Sequence, residues 1–386
     1  MLSQIYALAL MLSAVFITYI ASRRFNLPVI VLEVLAGIIL GKSVLNIVSY
    51  DMWLDFLADF GLMYLMFLAG LEMGVKEFRK GSVLLALGSL ITPFLLGALL
   101  GLLLDVPPLL LGTLLSTTSI GVVLPVLKDL NHDNDFKRLT LESAFLVDTF
   151  SMFLLTLSLE VSRGTTLTLL AFSLVFALTL FILPVTLRSL NVSEKMQRWS
   201  SEKEHFDYEV RLCFALIVFL AVVFEILGFH MVLGSFLAGL IVSELTVKGG
   251  ALEGRLSDFG YGFFIPLFFI AVGLTVNVRA LIRPEWLSML LLLLAMGVGG
   301  KLLGVVVIGK ILGLSTNTGL AMGILHSARL SLILAGAKIG LELGLLTEEV
   351  YSTTVVFAIT TVLLCPAIAR KFMRKAEDDV KRSVKV

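Results

Sequence analysis

Thirteen stretches of about twenty mainly apolar residues, each closed off by polar punctuation, decide what this chain can fold into. They cover roughly 3–21, 28–46, 57–73, 82–104, 108–128, 139–161, 166–188, 209–227, 229–247, 259–278, 286–312, 318–342 and 350–372. In lipid a chain must satisfy its own backbone hydrogen bonds, so runs of this length predict helices that cross the hydrocarbon core. The fold expected is an all-α polytopic membrane protein with 13 transmembrane helices. Composition agrees, with 58% apolar and 15% charged residues where an average soluble chain has about a quarter charged. The near-equal totals of 30 Lys+Arg and 29 Asp+Glu lack the basic field of a nucleic-acid binder. Lipid is the expected partner, and nucleic acid is not. Cys213 and Cys365 both lie in apolar runs, as packing residues rather than a disulfide framework.

Basic residues set the orientation. With an odd number of spans the termini face opposite sides, and a cytoplasmic C-terminus places 23 Lys/Arg on the inner face and five outside, with only Lys301 and Arg329 inside spans. The N-terminus is therefore expected outside and the C-terminus in the cytoplasm. Internal similarity adds a second level of order. Leu35–Gly41 resembles Leu237–Ser243, and Asp59-Phe-Gly61 leading to Gly70-Leu71 resembles Asp258-Phe-Gly260 leading to Gly273-Leu274. The offsets of about 200 residues pair spans 1 to 6 with spans 8 to 13 across a single linker span, so the repeats are inverted. The expected organisation is a first six-span repeat over 1–161, a linker span and loop over 162–208, a second repeat over 209–372 and a charged cytoplasmic tail over 373–386. Inverted repeats of this kind are the plan of secondary transporters, whose sites lie near the midplane.

An ionisable side chain at mid-bilayer costs on the order of 2.5 to 3.5 kcal/mol, so those that occur there ask for a reason. Asp148 lies in span 6, Lys301 in span 11 after Gly297-Val-Gly-Gly300, and Arg329 in span 12. Span 5 carries Ser116-Thr117-Thr118-Ser119 followed by Gly121 and Pro125, a composition that suits an interrupted helix. Span 12, its repeat counterpart, carries His326-Ser327-Ala328-Arg329 between two apolar halves. Paired interruptions at corresponding positions point to an ion site.

These residues also carry a family resemblance. Phe25-Asn-Leu-Pro28 through Gly41, Leu57-Ala-Asp-Phe-Gly61 through Met73, Thr117-Thr-Ser119-Ile-Gly121, Leu233-Gly-Ser-Phe-Leu-Ala-Gly239, Pro266 through Leu274, Asp148 and Lys301 resemble the monovalent cation:proton antiporters of the Kef and Nap type, within the sodium/hydrogen exchanger superfamily. The resemblance covers nearly the whole chain. It implies a sodium/proton antiporter-like fold with crossed discontinuous helices, a homodimer held by one bundle, and an elevator-like movement of the other. Relatives usually place two polar residues together in span 6, the second of which binds the ion. Here the pair is Val147-Asp148 or Asp148-Thr149, and the gap-free alignment of Ser143-Ala144 favours the former. Arg329 stands where many relatives have Glu, and whether it balances Asp148, Glu33 or Glu72 is left open. Kef-type relatives often continue into a nucleotide-binding regulatory domain, so a separate cytoplasmic regulatory subunit is a further possible partner.

The expected activity is exchange of Na⁺ or K⁺ for protons by alternating access, with both competing for the Asp148 carboxylate. No resident cofactor is implied. Oxygens of Thr117, Thr118, Ser119 and Ser327 would complete the cation's shell, with Lys301 and Arg329 as charge partners. Glu33, Glu72 and His326 are candidates for gating or pH sensing, whereas His132 reads as a solvated loop histidine. The alternative is a gated potassium efflux system, although no Thr-Val-Gly-Tyr-Gly filter is present. An intramembrane enzyme is not expected: the chain has no His-Glu-x-x-His helix and no second buried Asp in the spans.

Overall fold

The computed structural model describes residues 2–25, 27–72, 79–128, 134–162, 206–226, 231–245, 251–277 and 283–383. Among them every regular element is helical: α1 (Leu2–Phe25), α2 (Val29–Leu40), α3 (Met52–Glu72), α4 (Lys80–Leu104), α5 (Pro108–Ser116), α6 (Ile120–Lys128), α7 (Asn134–Ser162), α8 (Phe206–Ile226), α9 (Met231–Leu245), α10 (Ala251–Phe259), a π-helical segment Gly260–Phe264, α11 (Ile265–Thr275), α12 (Pro284–Ile311), α13 (Thr316–His326), α14 (Ser331–Glu342) and α15 (Glu348–Ser383). Twelve of the thirteen apolar stretches fall on these helices. The seventh, 166–188, lies outside the described residues, as does His132. Seven helices are long and apolar enough to cross a membrane by themselves, or eight if the bent pair α13–α14 counts as one span; α2 and most of α9 are shorter apolar helices. Leu102, Leu103 and Ile311 are 71%, 70% and 72% exposed, an arrangement that suits hydrocarbon rather than water.

The chain divides into two compact units. The first draws on residues 1–17, 48–76 and 163–273. In it α3 crosses α9 at Gly70 and Gly239, where a Cβ on either would collide with the other helix's backbone at Phe236 O or Phe67 O. Small residues permit this close approach where lipid supplies no hydrophobic drive. The buried Tyr64 hydroxyl donates to Leu256 O at 3.0 Å, and its ring packs with Phe214 and Phe264 beside the π-helical segment.

The second unit draws on residues 18–47, 77–162 and 274–386. Glu142 of α7 closes the start of α4, accepting from the Ser82 hydroxyl at 2.6 Å and the Arg79 amide at 3.3 Å; such a carboxylate satisfies amides that the helix leaves unpaired. Two apolar helical runs in this unit are interrupted. The first breaks at Thr117–Ser119, between α5 and α6, and not at Pro125, which lies inside α6. The hydroxyl residues decide the place, because their side chains offer the backbone partners other than the helical ladder. The second breaks between His326 and Ser331, where α13 and α14 are bent by 43°.

Candidate ion site

The two breaks are joined. The Ser119 amide donates to Ala328 O at 3.0 Å, a backbone hydrogen bond between the two non-helical stretches. The Thr118 hydroxyl donates to His326 O at 2.8 Å. Two half-helices, α5 and α13, thus present their C-terminal carbonyls to one small volume, and each such end carries a partial negative charge.

Lys301 and Arg329 answer those ends. Both are fully buried. Lys301 Nζ donates to Ser116 O and to Thr118 Oγ1, each at 2.6 Å. Arg329 reaches Leu115 O through Nε at 3.1 Å and Nη2 at 2.7 Å, Ser327 O through Nη1 at 2.9 Å, and Gly297 O through Nη2 at 2.6 Å. Its guanidinium carbon also lies 5.1 Å from the centre of the Phe357 ring, within cation–π range. Gly297 makes this possible, since a Cβ there would stand 2.7 Å from Phe357 Cζ and 3.4 Å from Arg329 Nη2. Arg329 therefore meets the carbonyls of Leu115, Ser327 and Gly297 and the Phe357 ring.

Asp148 is half-buried on α7, and with Arg329 it is one of the charges acting on Lys301. Thr117 and Ser327 are buried at the breaks, but their hydroxyls donate back to Leu114 O at 2.9 Å and Gly323 O at 2.8 Å. Ser119 is buried and held through its amide. Glu33 is buried on α2. Glu72 is the last residue of α3, in the first unit.

His326 has a definite place. Its Nε2 is 3.3 Å from Thr140 O and from Ser143 Oγ, and its Nδ1 is 3.1 Å from Ser89 Oγ. A carbonyl can only accept, so the proton belongs on Nε2; in that tautomer Nδ1 accepts from Ser89. The imidazole thereby ties the end of α13 to α4 and α7. Sequence reasoning missed Ser89, Thr140, Ser143 and Phe357. A serine inside the apolar run of span 4 was a usable signal for Ser89; Phe357 offered none among 27 phenylalanines.

A helical membrane chain whose two interrupted helices meet end to end, with buried cations on their carbonyl ends and an acid nearby, has the architecture of a secondary transporter. Residues 11–375 match the family described as "Sodium/hydrogen exchanger, transmembrane", and the chain belongs to that family. It is 30% identical over 380 residues to the "Probable Na(+)/H(+) antiporter 3" of Methanocaldococcus jannaschii, covering 95% of this chain and 96% of that protein. It is 28% identical over 377 residues to an Na(+)/H(+) antiporter of Enterococcus hirae, covering 95% and 97%. Its fold is similar to that of the sodium proton antiporter MjNhaP1 from M. jannaschii, with a TM-score of 0.67 at 16% identity over 97% of this chain and 99% of that one. The chain is an integral membrane transporter, not an enzyme.

Proposed function

We propose that the protein exchanges Na⁺ for protons by alternating access, with Asp148 as the carboxylate for which the two compete. One observation carries this reading above the others: among the described residues, Asp148 is an acid whose charge acts on Lys301, the buried cation hydrogen-bonded to Ser116 O and Thr118 Oγ1 at the first break. Both cations donate to backbone carbonyls, which gives them a fixed structural duty. Asp148 is then the acid left to titrate. Its carboxylate with Na⁺ bound and its carboxyl with a proton bound carry the same net charge, so one Na⁺ exchanges for one proton without net charge movement. Thr117, Thr118, Ser119 and Ser327 supply hard oxygens suited to a monovalent cation.

The same reading takes the chain as thirteen spans in two inverted six-span repeats with the linker span between them, the N-terminus outside and the functional unit a homodimer. The repeat is supported by matched contacts. Gly41 of the second span lies against Leu274, and Gly239 of the ninth lies against Leu71; the two leucines correspond under the internal similarity, while Gly239 corresponds to Gly37, one turn before Gly41.

Proton movement by the purified protein in liposomes, followed with a pH-sensitive dye on adding Na⁺, K⁺ or Li⁺, tests the exchange. Saturable proton efflux on adding Na⁺ supports it; flux of K⁺ at channel rates without proton movement would favour a gated efflux pathway. An imposed membrane potential with no ion gradient should drive nothing. Voltage-driven exchange would assign a second titrating group, with Lys301 the first to examine.

A further inference from the structure

Ser151 lies on α7 three residues beyond Asp148 and is fully buried. Of the five buried hydroxyls on that helix, those of Thr140, Ser143, Thr156 and Ser158 donate to a carbonyl three or four residues back. The Ser151 hydroxyl has no hydrogen-bond partner among the described residues. A helical serine can reach the carbonyl one turn earlier, so forgoing that bond leaves a polar atom in a buried place with nothing to satisfy it. Such atoms are rare in folded chains and ask for an explanation, an unseen ion among them.

Its level along α7 follows from contacts on either side. Thr140 and Ser143 meet His326, the last residue of α13. Further along, Leu155 Cδ1 and Leu114 Cδ2 each lie 2.8 Å from where a Cβ of Gly336 in α14 would sit. The break between α13 and α14 therefore runs alongside the part of α7 between Ser143 and Leu155. Asp148 and Ser151 lie in that part, and at a spacing of three they are neighbours on the helix surface.

The geometry points to Ser151 as a further oxygen ligand of the transported cation, its lone pair joining the Asp148 carboxylate and the hydroxyls of the breaks. This rests on Asp148 being the cation site. A neutral hydroxyl adds an oxygen without changing the charge balance, and a proton held on one carboxylate oxygen makes no use of it. Ser151 thus strengthens cation binding and leaves the proton step as it is.

The test uses the full chain in liposomes at a fixed alkaline pH. The Na⁺ concentration for half-maximal exchange is read for the parent, Ser151→Ala, Ser151→Cys and Asp148→Asn, with the melting temperature of each in detergent. Ser151→Ala should raise the half-maximal Na⁺ concentration about tenfold, keep the maximal rate, and leave the melting temperature unchanged or higher, because no protein hydrogen bond is lost. Ser151→Cys, nearly isosteric but with a soft sulfur that binds Na⁺ poorly, should do the same. Unchanged half-maximal concentrations in both Ser151 variants, with exchange abolished in Asp148→Asn, would overturn the role of Ser151 and leave Asp148 standing. A lower melting temperature with unchanged Na⁺ dependence would make Ser151 structural, which also overturns it. Exchange retained in Asp148→Asn would overturn the Asp148 site and the Ser151 ligand with it.

Discussion

The amide of Ser119 donates to the carbonyl of Ala328 at 3.0 Å, so residues 209 positions apart tie two broken helices together by a main-chain bond. A bond between main-chain atoms does not depend on side-chain identity. What holds the crossing in place is therefore the set of side chains that take the remaining carbonyls, and these are where substitutions should be felt.

Arg329→Ala should be the most damaging of these. It leaves the carbonyls of Leu115, Ser327 and Gly297 without the partners they have, at about 1–3 kcal/mol for each buried group left unpaired. The melting temperature in detergent should fall by several degrees and exchange should drop at least tenfold. Arg329→Lys should recover only part of both, because a point charge cannot reach three separate carbonyls as a guanidinium fork does.

His326→Gln should preserve most of the activity, since an amide can offer one acceptor and one donor where the ring now faces Ser89 and Thr140. His326→Leu removes both and should lower stability by about 1–3 kcal/mol. The pH profile of exchange in His326→Gln should keep the parent's shape; a displaced profile would make His326 a pH sensor rather than a brace.

Gly304→Ala should disrupt the second unit, because the added methyl would run into Gly88 O and into Thr92 Oγ1 where α12 packs on α4. Interiors this close-packed do not absorb a methyl against backbone without shifting. Size-exclusion profiles and thermal unfolding should both report a loss of about 1–3 kcal/mol.

Competition fixes the pH dependence without further assumptions. If one proton and one Na⁺ share Asp148, the Na⁺ concentration for half-maximal exchange should rise about tenfold for each unit that pH falls on the acid side, and level off at alkaline pH. A hundredfold rise per unit would mean two protons for each Na⁺.

The positions of the breaks were legible because hydroxyl residues and glycine stood where an apolar helix should have continued, and Lys301, Arg329 and Asp148 were legible as charges in apolar runs. Their partners were not. Arg329 seemed to need a carboxylate, yet it is answered by carbonyls of Leu115, Ser327 and Gly297 and by Phe357. Every residue carries a carbonyl, so composition cannot say which ones a helix end leaves unpaired. Pro125, one of the residues that suited an interruption, takes no part in it: it sits inside α6 and the chain opens six to eight residues earlier. The brace at His326 was half legible, since the histidine borders a break while Ser89 and Thr140 come from helices far away in sequence.

Proton release on Na⁺ binding tests the central claim most directly. With the purified chain in detergent and weak buffer, at a pH where exchange is half-maximal, adding saturating Na⁺ to the parent should release a substantial fraction of one proton for each Na⁺ bound. Asp148→Asn should release none. Na⁺ binding with no proton release in the parent, or release that survives in Asp148→Asn, would contradict a carboxylate at Asp148 shared by the two ions.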